Sequence, residues 1–409
     1  MICDRKNNKW LAAIVSMVMM FSFLAPGAGL AAEAVQTSDA KSFTLEEAVD
    51  YALENNDNLK NLDQQTDILQ NNYDQVEYKL KRQFGVKDID KIADSEVFKN
   101  MGKAPTTETG TYTSDRSILI APKELRNGVD TLKNTKAQAA EGIKIAVEKA
   151  YYSVLEDQQN LDVLKKSLEL AKKADGIANV QFDNGMITKD QLLQSQIGVS
   201  GVEMQMGQAQ NTLDKDMLSL KRQLGLPLDA QLKLETAFKV PDASGIDVEA
   251  GVESALQNRM EILEDDKDLD IKQQDFDLIK SYYSDITFQY KDGLLKLNNS
   301  KAAAKSDRQD VELDVRKNYL DLMSASSALP VLQMNVDKAQ ESLRIAQLRQ
   351  ENGLGTVVDV LNAQNTLLTN QLDQVKTQHM LNLAKINYEV STGIGLPKLT
   401  QTASSGSAM

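Results

Sequence analysis

Apolar residues recur three and four positions apart over most of the chain, and the strict alternation that marks strands is rare. The clearest run is Leu322, Ala325, Leu329, Leu332, Val336, Ala339, Leu343 and Ala346. This is a heptad seam, and it predicts a long helix packed as a coiled coil. Pro330 falls inside the seam and is expected to kink or loosen the helix. At Asn352-Gly353 the pattern stops, where a chain reversal needs a residue tolerant of positive φ, and it then resumes. Residues 311–392 therefore read as one long helical hairpin. A matching hairpin covers 144–224 and turns at Asn184-Gly185. Its first arm, Lys144 to Asp183, would extend about 60 Å at about 1.5 Å per residue. Each hairpin follows a short helix, for which Thr44 with Glu47 supplies a cap in the first case, and a longer helix near 58–82 or 260–280.

The two hairpins are copies of one unit. At an offset of 168, Tyr151 meets Tyr319, Val163-Leu164 meets Val331-Leu332, Ile177-Ala178 meets Ile345-Ala346, and Thr188 meets Thr356. At an offset of 203, Glu46, Val49, Ala52-Leu53 and Asn55 meet Glu249, Val252, Ala255-Leu256 and Asn258. Two offsets mean that the first copy holds extra residues between its matched blocks. Gly225-Leu226-Pro227 and Gly395-Leu396-Pro397 end the copies alike. The resulting division is a first repeat over 32–227, a linker over 228–245 with Pro241 and Ser244-Gly245, a second repeat over 246–397, and a disordered tail over 398–409.

Strand signals are few. Asp285 to Tyr290 alternates, and Asp292-Gly293 is a hairpin turn signal, so 284–297 reads as two short strands. Strands of about six residues are shorter than the nine to eleven that cross a bilayer. The corresponding insert in the first copy is 84–122, where only Ile118 to Ile120 is apolar. Tyr282, Tyr283 and Tyr290 fit either an aromatic girdle or packing at a helix end.

Composition narrows the function. Aromatics are 5% and prolines seven, as expected of long helices. The single Cys, Cys3, and single Trp, Trp10, lie in the first ten residues, ahead of any folded body. Disulfide scaffolds, zinc clusters and thiol chemistry are excluded. His379 is the only imidazole, so a multi-His metal site is excluded too, and its Gln- and Asn-rich helix suggests a surface or lumen position. Glu264 with Asp265, Asp266, Asp268 and Asp270 lacks the ligand spacing and central Gly of a calcium loop. No metal, cofactor or catalytic residue is expected. Arg5, Lys6 and Lys9 precede an apolar run from Trp10 to Leu24 and small residues near Ala31, the order of a secretory signal peptide over 1–31. The net charge of −13 argues against nucleic acid as a partner.

Several segments together resemble one family. Phe43 to Asn56, Phe182 to Leu193, Asn352 to Gln364, Leu224 to Pro227 and the duplication are similar to the bacterial outer-membrane efflux ducts of the TolC type. That resemblance implies a mainly α fold, in which duplicated long hairpins form a coiled-coil tunnel (an α-barrel) and strands join a shared β-barrel; the short, reduced β segments at 84–122 and 284–297 depart from that pattern. It further implies an exported homotrimer of the cell envelope, at the outer membrane if barrel strands insert. The duct would be passive and non-enzymatic, fed by an inner-membrane pump through a periplasmic adaptor, a membrane fusion protein. The family's adaptor-docking turns fall on Asn184, Gly185 and Met186, and on Asn352, Gly353 and Leu354. Its acidic pore constriction falls on Asp359, with Asn362 in place of a second acid; Asp190 and Gln191, one turn past the first hairpin tip, are further candidates. The alternative is a non-conducting coiled-coil scaffold of the envelope.

Overall fold

The computed structural model describes residues 41–100, 108–236, 240–243 and 245–396. The expected signal peptide at 1–31 and tail at 398–409 lie outside them, as does part of the linker. The elements in order are β1 (Lys41–Phe43), α1 (Leu45–Glu54), α2 (Asp57–Phe84), a 3-10 turn (Ile89–Lys91), α3 (Glu96–Asn100), α4 (Glu108–Leu119), α5 (Ala121–Asp183), α6 (Lys189–Gln223), β2 (Leu232–Leu234), α7 (Val248–Asn258), α8 (Met260–Tyr282), α9 (Phe288–Glu351) and α10 (Val357–Thr392). Of the described residues, 57–138 and 257–310 form one compact unit, and 41–56, 139–256 and 311–396 form another. The fold class is mainly α, as the periodicity requires.

In the first unit a core of Tyr73, Leu80, Phe84, Ile89, Ile92 and Val129 is buried. Helix α4 is held to α8 by a polar network. Arg116 Nε donates to both Asp275 oxygens at 3.2 Å, and its Nη2 donates to Glu124 at 2.6 Å. The Tyr112 hydroxyl donates to the same Asp275 at 3.1 Å, and that of Tyr282 donates to Asp115. The Tyr112 ring also lies edge-on to those of Tyr282 and Tyr283.

Two expectations fail in this unit. The segment 284–297 is a turn followed by the first turns of α9, and the described residues of 84–122 contain the 3-10 turn, α3, α4 and the start of α5, with no strand among them. The physical reason at 284–297 is tertiary packing. Thr287 starts the helix by accepting from the Tyr290 N–H at 3.3 Å. Tyr290 then packs its ring against Phe276 at 5.2 Å. Gly293 sits at the close approach of α9 to α8: a Cβ there would stand 2.6 Å from Ile279 Cδ1. The glycine that read as a turn signal instead lets two helices meet. The three tyrosines accordingly pack at helix ends.

In the second unit Ala48, Val49 and Ala52 of α1 share a buried core with Val147, Tyr151 and Val154 of α5, with Leu220 of α6 and with Leu224 just past its end. The Thr44–Glu47 capping box starts α1 as expected. Strands β1 and β2 pair in parallel, Lys41 with Leu232 through Phe43 with Leu234. The buried Tyr151 hydroxyl fastens them, donating to the Phe43 carbonyl at 3.0 Å and accepting from Thr236 N–H at 3.1 Å. Along α9, Leu322, Ala325, Val336, Ala339 and Leu343 of the heptad seam are buried. The helix continues across Pro330, which is exposed, so its ring and missing donor fall off the seam.

Candidate functional site

Both hairpins of the second unit turn by the same device. Helix α5 ends at Asp183, and Gly185 takes φ +72°. The Met186 N–H returns to the Gln181 carbonyl at 2.8 Å and the Gly185 N–H to that of Phe182 at 2.9 Å. In the second turn Gly353 takes φ +73°, with Leu354 N–H to Arg349 at 2.8 Å and Gly353 N–H to Gln350 at 3.0 Å. This paired closure satisfies carbonyls that a helix end otherwise leaves open, and it needs a left-handed residue that only glycine adopts without cost. Asn184 and Asn352 add a side-chain bond each, to the carbonyls of Val180 and Leu348.

The returning helices start with capping boxes. Thr188 accepts from the Gln191 N–H at 3.3 Å, and its own N–H donates to Gln191 Oε1 at 3.0 Å. Thr356 and Asp359 repeat this at 3.2 and 2.8 Å. Asp359, the expected constriction acid, is therefore the reciprocal cap of α10. It is exposed, and the Thr356 backbone and hydroxyl donors hold its carboxyl below the usual aspartate value. Asp190 is exposed and accepts from Gln194 at 3.1 Å. Asn362 is exposed one turn beyond Asp359. Gln191, a candidate beside Asp190, serves here as the partner of Thr188, in the Thr-x-x-Gln spacing of a capping box.

The two turns lie together. Ala178, Leu192 and Val357 form a buried cluster with Phe182, Ile187 and Leu361 packed on it. Gln350 donates to Gln181 at 3.4 Å. Above this base Met186 is 69% exposed and Leu354 81%. The end of the hairpin pair thus presents two apolar side chains beside Asp190 and Asp359.

His379 departs from expectation. It is buried at 8% exposure, with Nε2 3.4 Å from Glu156, and burial lowers its pKa. The Tyr152 backbone and Glu156 of α5 lie against it, more than two hundred positions away, which the local sequence does not reveal.

Long paired hairpins with glycine turns are also the architecture of several solved proteins, to which this chain is similar in fold. The open-state MtrE outer membrane channel of Neisseria gonorrhoeae aligns with a TM-score of 0.65 at 13% identity, over 88% of this chain and 91% of that one. The outer membrane protein VceC of Vibrio cholerae aligns with a TM-score of 0.63 at 14% identity, over 86% and 97%. A membrane protein of Pseudomonas aeruginosa aligns with a TM-score of 0.64 at 13% identity, over 92% and 100%. Such identities establish the shared fold. The family model described as outer membrane efflux protein matches residues 289–393, which is α9, its turn and α10. The resemblance to TolC-type ducts read from the motifs is borne out on these two counts. No curated protein matches the chain in sequence.

Proposed function

We propose that this chain is the protomer of a homotrimeric efflux duct of the cell envelope, passive and without catalysis. Substrates would be delivered by an inner-membrane pump through a periplasmic adaptor. The observation that carries the reading is an unpartnered heptad row on α9. Leu313, Leu320, Met334 and Leu348 are spaced by multiples of seven and all exposed, while the inner seam of the same helix is already filled. Leu193, Ile197, Met204 and Leu218 form a similar exposed stripe on α6. Apolar rows of this regularity mark surfaces that another helix covers. The likeness of 289–393 to the efflux family supports the same assembly.

At the hairpin end, Met186 and Leu354 would contact the adaptor, with Asn184, Gly185, Asn352 and Gly353 shaping the turns. Asp359, Asp190 and Asn362 would border the pore there, giving a threefold ring of charge that favours cations. The mass of the exported chain in detergent tests the assembly: a trimer is expected, and Leu320→Lys with Met334→Lys should reduce it to a monomer. A monomer from the unaltered chain would refute the duct.

A second reading, a scaffold that conducts nothing, is favoured by one observation, the helical state of 96–100, 108–119 and 288–297 within the segments where β structure was expected. Ion conductance across a planar bilayer separates the two. Steady single-channel currents support the duct, and a trimer without currents supports the scaffold.

A further inference from the structure

Within the second unit α10 runs against α5 in a fixed antiparallel register. Lys149 Nζ donates to Asn387 Oδ1 at 2.8 Å, His379 Nε2 stands 3.4 Å from Glu156, and Gln364 Nε2 donates to the Leu170 carbonyl at 3.3 Å. Lys149, Glu156 and Leu170 are whole heptads apart, so they line one face of α5. Val163 lies in the same row, and both it and Leu372 of α10 pack on the cluster of Leu164, Ala171, Val202 and Leu368. A helix of the second hairpin thus covers the first.

The duplication maps this seam onto a second pair of helices. Adding 168 to the bounds of α5 gives α9, and subtracting 168 from those of α10 gives α6. Identical residues then differ only in their cover. Gln364 is buried, while its copy Gln196 is exposed. Leu361 packs on the buried cluster near the turns, while its copy Leu193 is exposed. Val163 is packed, while its copy Val331 is exposed. Leu372 and the buried Ile386 have exposed copies too, Met204 and Leu218. The second hairpin therefore lacks the cover that it gives to the first, and α6 carries the matching stripe turned outward. A repeated unit buries such a face by stacking on another copy of itself.

We propose that α6 of a second copy seats on α9 in the register of the α5–α10 seam, carried over by the repeat. Val331 then meets the partner's Met204, Ser324 the partner's Asn211, and Lys317 the partner's Ser219. The partner's Gln196 donates to the Lys338 carbonyl, as Gln364 does to that of Leu170. Each rung sets polar against polar or apolar against apolar. A slip of one heptad either way would place the partner's Met204 against Ser324 or Lys338 and leave polar groups buried without partners. Two different faces of the chain meet, so the contact is head-to-tail and closes into a ring where the rotation allows. The inference rests on the self-assembly of the duct reading and adds to it the docking face and its register.

Cysteine pairs test the register, since the only native cysteine, Cys3, precedes the chain from Ala32 onward. Four double variants of residues 32–409 combine Ser324→Cys or Val331→Cys on α9 with Met204→Cys or Asn211→Cys on α6. All four positions are exposed, so each variant should fold. A disulfide needs Cα atoms within about 7 Å, and one heptad displaces a residue by about 10 Å. Under mild oxidation, Val331→Cys with Met204→Cys and Ser324→Cys with Asn211→Cys should give covalent oligomers on non-reducing gels. The crossed pairs, Val331→Cys with Asn211→Cys and Ser324→Cys with Met204→Cys, should give several-fold less. Equal linking in all four, linking only in the crossed pairs, or none in any would overturn the register. A trimer by mass with any of those outcomes leaves the duct reading standing, whereas a monomer refutes both.

Discussion

Replacing Gly293 by Ala sets two opposed effects on one methyl group. In a helix interior the change raises stability by about 1 kcal/mol. Here the methyl would stand 2.6 Å from Ile279 Cδ1 and 3.2 Å from Phe276 Cδ2. Both neighbours are buried, at 8% and 6% exposure, so they have little room to retreat. Overpacking of this kind costs about 1–3 kcal/mol, which leaves a net loss of about 0–2 kcal/mol. The single variant is therefore less informative than its coupling to Ile279. Ile279→Val removes the atom in the way and by itself costs about 0.5–1.5 kcal/mol. In the double variant the methyl occupies the vacated space, so the combined cost should fall short of the sum by about 1 kcal/mol. Hydrogen exchange of amides in 276–282 and 293–297 reads the local opening free energy directly. Additive costs, or a stabilising Gly293→Ala, would refute the close approach of α8 and α9. A β-turn at Gly293 would respond otherwise, losing stability on Ala substitution whatever occupied position 279.

The turns offer a cleaner conformational test. Gly353→Ala meets no atom within 4 Å, so its cost is the left-handed backbone alone, about 1–2 kcal/mol, and Gly353→Asn should recover part of it; both are read from exchange of the Leu354 amide. Thr356→Ala should fray the start of α10 by about 1 kcal/mol, seen as faster exchange of the Asp359 amide. Because hydrogen bonds hold the Asp359 carboxyl below its ordinary value of 3.8, its stabilising share is present above that pH. It is lost as pH falls through the lower folded value, and an acid titration of Asp359→Asn should lack that step. Asp275→Asn should loosen α4 by about 1–3 kcal/mol, because Arg116 and Tyr112 both donate to that carboxylate; unchanged exchange in 111–119 would contradict this.

The long elements were legible because their signals are local and repeated. The heptad seam of α9, the glycine turns at 185 and 353 and the cap at Thr44 each follow from a few neighbouring residues. The first unit was misread for the complementary reason. Alternation from Asp285 to Tyr290 and the Asp292-Gly293 pair satisfy strand and turn rules locally, yet Phe276 and Ile279 of α8 decide the outcome. Short apolar runs do not separate strand from buried helix by pattern alone. At the turns, glycine and asparagine were found, but the reciprocal bond of Asp359 to Thr356 hid behind its reading as a pore acid. The burial of His379 depends on residues more than two hundred positions away, and no local pattern reports it.

The closed hydrogen-bonding of the two turns bears on how anything could bind there. Each reversal meets its own backbone needs through glycine, asparagine and a threonine cap, so its shape is set before any encounter. Association at this end would immobilise the Met186 and Leu354 side chains but would not order a loop, which spares most of the conformational entropy that flexible binding segments lose. Specificity would then reside in a rigid contour, tolerant of changes to the two apolar side chains and intolerant of changes to the glycines beneath them.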